Sequence, residues 1–271
     1  FIKMSEGKKE ILLGDCLELM KDIPNGSIDM ILADLPYGTT SIKWDSVIPL
    51  EDLWNCYNRI IKDDGAIVLF SSQPFTSKLV MSNPKMYKFE WIWQKTMPTG
   101  MGNSSFMPMK YHENILVFYK SKPTYNPQME KRSDVGIDRL KNSGKVKQGS
   151  KKGEHFSATK HTGTYFEYDK TKVLPKSVQL FGSVPNCNGT KLHPTQKPIE
   201  LFQYLIKTYT NENDLVLDNT AGSGTTAIAC LNTKRQFIVM EKEQKYYDII
   251  LKRVGDFNKN FEPQTLFGNE M

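Results

Sequence analysis

Apolar residues run through this chain in two rhythms, unbroken short blocks and stripes three or four apart, with polar stretches between them. The blocks at 10–14 (EILLG) and 28–34 (IDMILAD) read as buried strands, because aliphatic residues without a polar alternate suit a sheet covered on both faces. Turn-forming Pro24-Asn25-Gly26-Ser27 precedes the second block. Leu17, Leu19 and Met20 give a short helical pattern after the first block. From Pro49 a longer one carries Leu50, Leu53, Trp54, Tyr57, Ile60 and Ile61 on one face. Asp63-Asp64-Gly65 ends that helix, the block at 66–70 (AIVLF) starts a strand, and Gln73-Pro74 leads into another helix. Further strands are predicted at 87–94, alternating with period two, and at 113–120. Between them 96–112 is rich in Gly, Ser, Met and Pro, a loop outside the core that could touch substrate.

Regular patterning fades from 121 to 190 and returns at 192–210 (LHPTQKPIELFQYLIKTYT), where Pro198 starts a helix with Leu201, Tyr204 and Leu205 on one face. A strand at 214–218 (DLVLD) follows, then the turn 219–226 (NTAGSGTT) opening a helix, a strand at 237–241 (FIVME), and a last helix at 244–254. Strand, glycine turn, helix and a strand ending in an acid form a nucleotide-binding pattern. Gly222 and Gly224 let the backbone turn sharply close to a ligand, and Glu241 at a strand tip can accept two hydrogen bonds from a ribose diol. The turn lacks the full G-x-G-x-x-G spacing of a pyrophosphate cradle, and no G-K-[ST] motif exists, so a nucleoside-like cofactor fits best.

Composition changes the picture at one place. With 271 residues, 39% hydrophobic and 24% charged, the chain is ordinary for one large α/β core carrying an inserted subdomain. No apolar run approaches the ~20 residues that span a bilayer. The N-terminus lacks the apolar segment of a signal peptide, and Phe1-Ile2-Lys3 ahead of Met4 read as a cloning remnant outside the fold. Cys16, Cys56, Cys187 and Cys230 are widely spaced, with no C-x-x-C pair, which argues against a zinc site or a disulfide framework and for a reducing cytoplasm. The net charge of +6 is local: residues 121–190 carry 13 Lys+Arg against 6 Asp+Glu, while the rest carries 23 against 24. So basic a segment, with Tyr125, Phe156, Tyr165, Phe166 and Tyr168 among its lysines, suits a polyanion and equally a solvated insert.

The 28–34 block runs directly into Leu35-Pro36-Tyr37-Gly38. Pro36 holds Leu35 extended, so Asp34, a free carbonyl and an aromatic ring are presented together at a strand's carboxyl end, where open α/β sheets bind ligands. D-L-P-Y resembles the D-P-P-Y signature of the amino-methylating DNA methyltransferases, with Leu35 in place of the first proline. V-L-D-N-T-A-G-S-G-T-T (216–226) resembles that family's V-L-D-P-F-x-G-S-G-T-T, F-I-V-M-E-K-E-Q-K-Y-Y (237–247) resembles its acidic-strand motif, and H-P-T-Q-K-P (193–198) matches without change. Catalytic strand first, basic insert next and cofactor strands last is similar to the β subgroup. The resemblance implies a Rossmann-like class I methyltransferase fold, with a circularly permuted, mostly parallel seven-stranded sheet and an inserted target-recognition region. Residues 4–120 would be the catalytic half, 121–190 the insert and 191–271 the cofactor-binding half.

The same resemblance implies S-adenosyl-L-methionine as cofactor and double-stranded DNA as substrate, with no metal and no membrane. By it Asp34, Leu35, Pro36 and Tyr37 form the catalytic turn, with Asp34 also facing the cofactor. Asp218 orients the glycine turn, Gly222 and Gly224 approach the methionyl part, Thr225 or Thr226 bonds the cofactor carboxylate, Glu241 takes the ribose, and Asp15 beside Cys16 takes the adenine amine. His193, Thr195, Lys197 and Pro198 close over the methionine end with Lys197 near its carboxylate, and Asn219 and Thr220 stand where the family has Pro-Phe. Expected DNA contacts are Lys43 and Trp44 in the loop after Gly38, and Lys131, Arg132, Arg139, Lys141, Lys145, Lys147, Lys151 and Lys152 in the insert. Asp34 and the Leu35 carbonyl would accept the N–H bonds of adenine N6 while Tyr37 stacks on a flipped-out base. In this family an Asp start goes with adenine and a Ser start with cytosine, so N6-adenine is expected over N4-cytosine, and DNA over RNA. A non-catalytic DNA-binding homologue is the rival if Leu35, Asn219 and Thr220 are erosion. A homodimer and a cognate restriction endonuclease stay open as partners.

Overall fold

The computed structural model describes residues 8–38, 46–143, 169, 171–184, 192–193 and 196–261, with backbone alone at 140–143 and 260–261. In chain order the elements are β1 (Lys9–Leu13), α1 (Cys16–Leu19), β2 (Ile28–Asp34), α2 (Leu50–Ile60), β3 (Ile61–Ser71), α3 (Phe75–Ser82), β4 (Tyr87–Thr99) and β5 (Lys110–Phe118). They continue as β6 (Glu130–Lys131), α4 (Asp134–Ser143), β7 (Lys172–Val173), β8 (Val178–Phe181), α5 (Ile199–Tyr209), β9 (Leu215–Asp218), α6 (Thr225–Thr233), β10 (Gln236–Glu241) and α7 (Gln244–Phe261).

One sheet runs in the order β1-β10-β9-β2-β3-β5-β4-β8. All its strands point one way except β5. The α/β, mostly parallel, permuted architecture is therefore as expected, with eight strands in the sheet among the described residues where seven are expected. The additional strand, β8, pairs parallel with Ile92 to Lys95 of β4 and comes from the stretch that loses its pattern in the sequence. Four residues are too short a run to show a period, and here Val178 and Leu180 stay exposed while Phe181 packs against the core.

The strand order brings the first strand beside the last. β1 lies beside β10 with Leu13 opposite Glu241, and β2 sits between β9 and β3. Each face of the sheet is covered, which is why its central strands show no polar alternate. Ile31, Ala33, Ile67, Leu69, Leu217 and Met240 meet Leu53, Trp54 and Tyr57 of α2. On the other face Met30, Leu32, Val68, Phe70, Val216 and Val239 meet Leu201, Leu205, Ala227 and Ile250.

Two boundaries depart from the sequence pattern. β3 begins directly after α2 and takes in Asp63-Asp64-Gly65, because pairing jumps from Ile28–Ile61 to Met30–Ala66 and leaves those residues in a bulge. A Cβ on Gly65 would stand 2.9 Å from the Asp29 carbonyl oxygen, so the close backbone approach requires glycine. The second departure is the β4–β5 hairpin. Asp34 lies level with Phe70, Ile115 and Trp91 across the sheet, yet the hairpin ladder continues to Thr99–Lys110. Its tip therefore stands on the order of 16 Å beyond the carboxyl end of β2.

A second compact unit, Pro127–Lys176, contains α4 and an antiparallel pair of β6 and β7. Among the described residues no helix is long and apolar enough to cross a membrane.

Candidate active site

The carboxyl ends of β1, β2, β9 and β10 meet at a cavity of about 400 Å³, a volume in the range of small-molecule sites. Gly14, Asp15 and Cys16 line it after β1, Asp34 to Tyr37 after β2, Asp218 to Ser223 after β9, and Glu241 to Glu243 after β10. His193, Gln196 and Lys197, ahead of α5, close another side. Asp34 and Gly222, far apart in sequence, face one void because β2 is the neighbour of β9.

Around the glycine turn, each polar group holds a backbone group in place. Asp218 accepts from the Thr220 N–H at 3.0 Å on Oδ1 and from the Thr226 hydroxyl on Oδ2. Burial pushes its carboxyl up to about 7, against the pull of those hydrogen bonds. Gly222 (φ +54°) lies beside the His193 ring and lines the cavity, whereas Gly224 (φ +78°) faces Ile250 and caps α6. Glu241 accepts from the Gly222 N–H at 2.8 Å and the Glu243 N–H at 2.9 Å, one on each oxygen, which fixes the carboxylate and leaves lone pairs for a diol. Asp15 caps α1 by accepting from the Leu17 N–H at 3.0 Å.

The two residues that depart from the family motif are well held. Asn219 accepts from the Tyr57 hydroxyl at 2.6 Å and points its amide at the Cys16 sulfur, 3.5 Å away. Thr220 donates its hydroxyl to the Asp34 carbonyl at 3.1 Å, tying the glycine turn to the D-L-P-Y turn.

Asp34 itself is engaged on both oxygens, by the Tyr37 hydroxyl at 2.7 Å and by Lys197 Nζ at 2.5 Å. Lys197 Nζ is also 3.4 Å from Glu113, whose other oxygen is 2.5 Å from Lys95 Nζ. Burial holds the Asp34 carboxyl above the usual range, the Lys197 ammonium working against it. Burial would lower the Lys197 pKa, but the carboxylates of Asp34 and Glu113 outweigh it and keep the amine charged. Burial would likewise raise Glu113, and the two lysines hold it below the ordinary range instead.

Asp15, Cys16, Asp34, Leu35, Pro36, Tyr37, His193, Lys197, Asp218, Asn219, Thr220, Gly222, Thr225 and Glu241 therefore line one cavity. Pro198, Gly224 and Thr226 do not: Pro198 caps α5, Gly224 caps α6, and Thr226 is buried behind Asp218. Lys197 lines the cavity with its Nζ held between the carboxylates of Asp34 and Glu113. Tyr37 has its ring stacked on Phe75 at 5.3 Å. Of the expected DNA contacts, Lys131 and Arg139 are exposed, and Arg132 donates to the Lys172 carbonyl at 3.0 Å. Lys43, Trp44, Lys145, Lys147, Lys151, Lys152 and the cofactor-side Thr195 lie outside the described residues, as does the side chain of Lys141. Glu113, Lys95 and Tyr57 escaped the sequence reading. Their signal was a charge at one end of a largely apolar block, Lys95 ending WIWQK and Glu113 opening ENILVF, and a hydroxyl on a core stripe.

The lining suits a cationic nucleoside. Asp15, Asp34, Glu241 and Glu243 line it against Lys197 and Lys242, and Glu241 is placed as a diol acceptor.

A family model described as DNA methylase matches residues 28–252. The Type II methyltransferase M.HpaI of Haemophilus parainfluenzae is 27% identical over 267 residues, which cover 92% of this chain and 76% of that protein. Among solved structures, the M1.HpyAVI–SAM complex superposes with a TM-score of 0.59 at 25% identity, over 90% of this chain and 98% of its own. The cytosine-N4-specific PvuII DNA methyltransferase shares the fold, with a TM-score of 0.61 at 15% identity over 96% of this chain and 89% of its own.

Proposed function

The chain belongs to the DNA methylase family, and from that premise we propose that it methylates N6 of an adenine flipped out of duplex DNA at a specific site. Methylation of DNA with S-adenosylmethionine is the family's activity; the target base and the residue roles are inferred. The observation that carries the reading is the single cavity in which the Asp34 turn and the Gly222 turn face each other, joined by the Thr220–Asp34 hydrogen bond.

In this reading Glu241 receives the ribose, Asp15 the adenine amine, and Gly222 and Thr225 the methionyl part of S-adenosylmethionine. The cofactor supplies a methyl group on a sulfonium, an electrophile that asks for an aligned nucleophile more than for a strong base. Asp34 and the Leu35 carbonyl accept the two N–H bonds of the target amine and aim its lone pair. Such positioning contributes ~7–11 kcal/mol to barrier lowering. Tyr37, its hydroxyl held by Asp34 and its ring packed on Phe75, stacks on the extruded base in this reading. Lys131 and Arg139 meet phosphates, and the unit at Pro127–Lys176 with its flanks reads the target.

The carboxylate at Asp34 favours adenine, since the family's cytosine enzymes start this motif with serine; the fold is common to both. Free thiols at Cys16, Cys56 and Cys230 suit a reducing cytoplasm, and the Type II name of M.HpaI supports a cognate restriction endonuclease as partner. Nucleoside mass spectrometry of DNA from cells expressing the protein tests the reading. N6-methyladenine is expected. N4-methylcytosine in its place would move the target to cytosine, and DNA without either base would refute the activity.

A further inference from the structure

Glu113 lies outside the four family motifs quoted above, yet it lines the cavity beside Asp34 and Lys197. Its Oε1 is occupied by Lys95 at 2.5 Å. Its Oε2 is buried, makes no hydrogen bond, and lies 3.4 Å from Lys197 Nζ. The Lys197 side chain, 8% exposed, is thus shared unequally between two carboxylates, with Nζ 2.5 Å from Asp34 and 3.4 Å from Glu113.

This arrangement poses a problem that the same arrangement answers. If Asp34 is the acceptor for the target amine, as proposed above, then Tyr37 and Lys197 already take one lone pair on each of its oxygens, and the Lys197 ammonium competes with the substrate N–H for Oδ2. A buried ammonium cannot simply let go, because an uncompensated charge in a dry site is strongly disfavoured. It requires a second acceptor within a short reach. Closing the gap to Glu113 Oε2 to the ~2.8 Å of a charge-assisted hydrogen bond takes a movement of about 0.6 Å. Lys95 holds the Glu113 carboxylate on its other oxygen, so the receiving atom is already in place.

We propose that Glu113 is a positioning residue for methyl transfer: it draws Lys197 off Asp34 when the target amino group arrives, so that Asp34 accepts the substrate N–H in place of the ammonium. No proton moves in this exchange, and the net charge of the cluster is unchanged. Glu113 touches neither the base nor the cofactor in this scheme and acts through Lys197.

Two measurements test it. In single-turnover methylation of unmethylated genomic DNA, Glu113→Gln should lower the rate about 10- to 100-fold. The Kd for S-adenosylmethionine by calorimetry and the KM for DNA should stay within about twofold, and Glu113→Asp, which keeps the charge, should recover part of the rate. A Gln variant with the wild-type rate, or one whose defect lies wholly in KM or Kd, would overturn the inference. The second measurement does not depend on a variant's folding. A crystal structure of the wild-type protein with an unreactive cofactor analogue and its methylation-site duplex should show Lys197 Nζ bonded to Glu113 and withdrawn from Asp34; Lys197 still on Asp34 would overturn it. A wild-type protein that transfers no methyl to DNA would refute the functional reading and this inference with it, whereas an active wild type alongside an unaffected Gln variant would refute this inference alone.

Discussion

Asp34 and Asp218 are both buried carboxylates in one cavity, but their neighbours assign them different work. Asp34 has an ammonium and a phenol on its oxygens, groups that a competing donor can displace. Asp218 has a backbone N–H and a buried threonine hydroxyl, which shape the glycine turn. Asp34→Ala should therefore reduce methyl transfer below detection while the calorimetric affinity for S-adenosylmethionine stays within a few-fold; an active variant would remove Asp34 from the mechanism. Asp218 yields a pH prediction. Its carboxyl is raised from 3.8 to about 7 by burial, so the folded protein favours the protonated form. A folded-state pKa above the unfolded one gives stability that is present below about pH 4 and lost as pH rises to about 7. Asp218→Asn removes this titration. Its stability relative to wild type, from denaturant titrations at a series of pH values, should rise between pH 4 and 7, at most on the order of 4 kcal/mol. A difference that stays flat with pH would mean that the buried carboxyl titrates normally.

The element on which the cofactor site turns is the link from β9 to α6. Gly222 and Gly224 both adopt positive φ, so both were legible as turn glycines, but their surroundings separate them. A Cβ on Gly222 would make ordinary contact with His193, 3.5 Å away, on the cavity side. On Gly224 it would stand 3.0 Å from Ile250 of α7, on the core side. Gly224→Ala should thus act on stability more than on binding. The left-handed backbone alone costs about 1–2 kcal/mol. A loss of several degrees in Tm is expected by calorimetry, with cofactor affinity nearly kept; an unchanged Tm would show that the turn relaxes freely. Elements whose signal is local came through clearly in the pattern, as with β2, α2, β9 and β10. β8 did not, because a four-residue edge strand takes its identity from its pairing with β4.

For the molecule as a whole, charge and strand order matter most. The excess of Lys and Arg lies within 121–190, where Lys131 and Arg139 are exposed. Lys131→Glu with Arg139→Glu should weaken duplex DNA binding and flatten its salt dependence, by roughly one unit of log–log slope for each phosphate the protein no longer neutralises, with cofactor affinity unchanged. An unaltered slope would take both residues out of the DNA interface. Local patterning was enough to set the α/β class, the carboxyl-end positions of Asp34, Asp218 and Glu241, and the motifs that place the chain in its family. Those features depend on runs of neighbouring residues: aliphatic blocks, glycine turns and the proline after Leu35. Pairings between distant side chains were settled by the fold. That Lys197 pairs with Asp34 and Glu113, that Tyr57 and Cys16 hold Asn219, and that Thr220 reaches the Asp34 carbonyl all follow from β2 lying beside β9 and from the register of β3, β5 and β4. Register and strand order are properties of the assembled sheet, and no window of the chain contains both partners of any of these pairings.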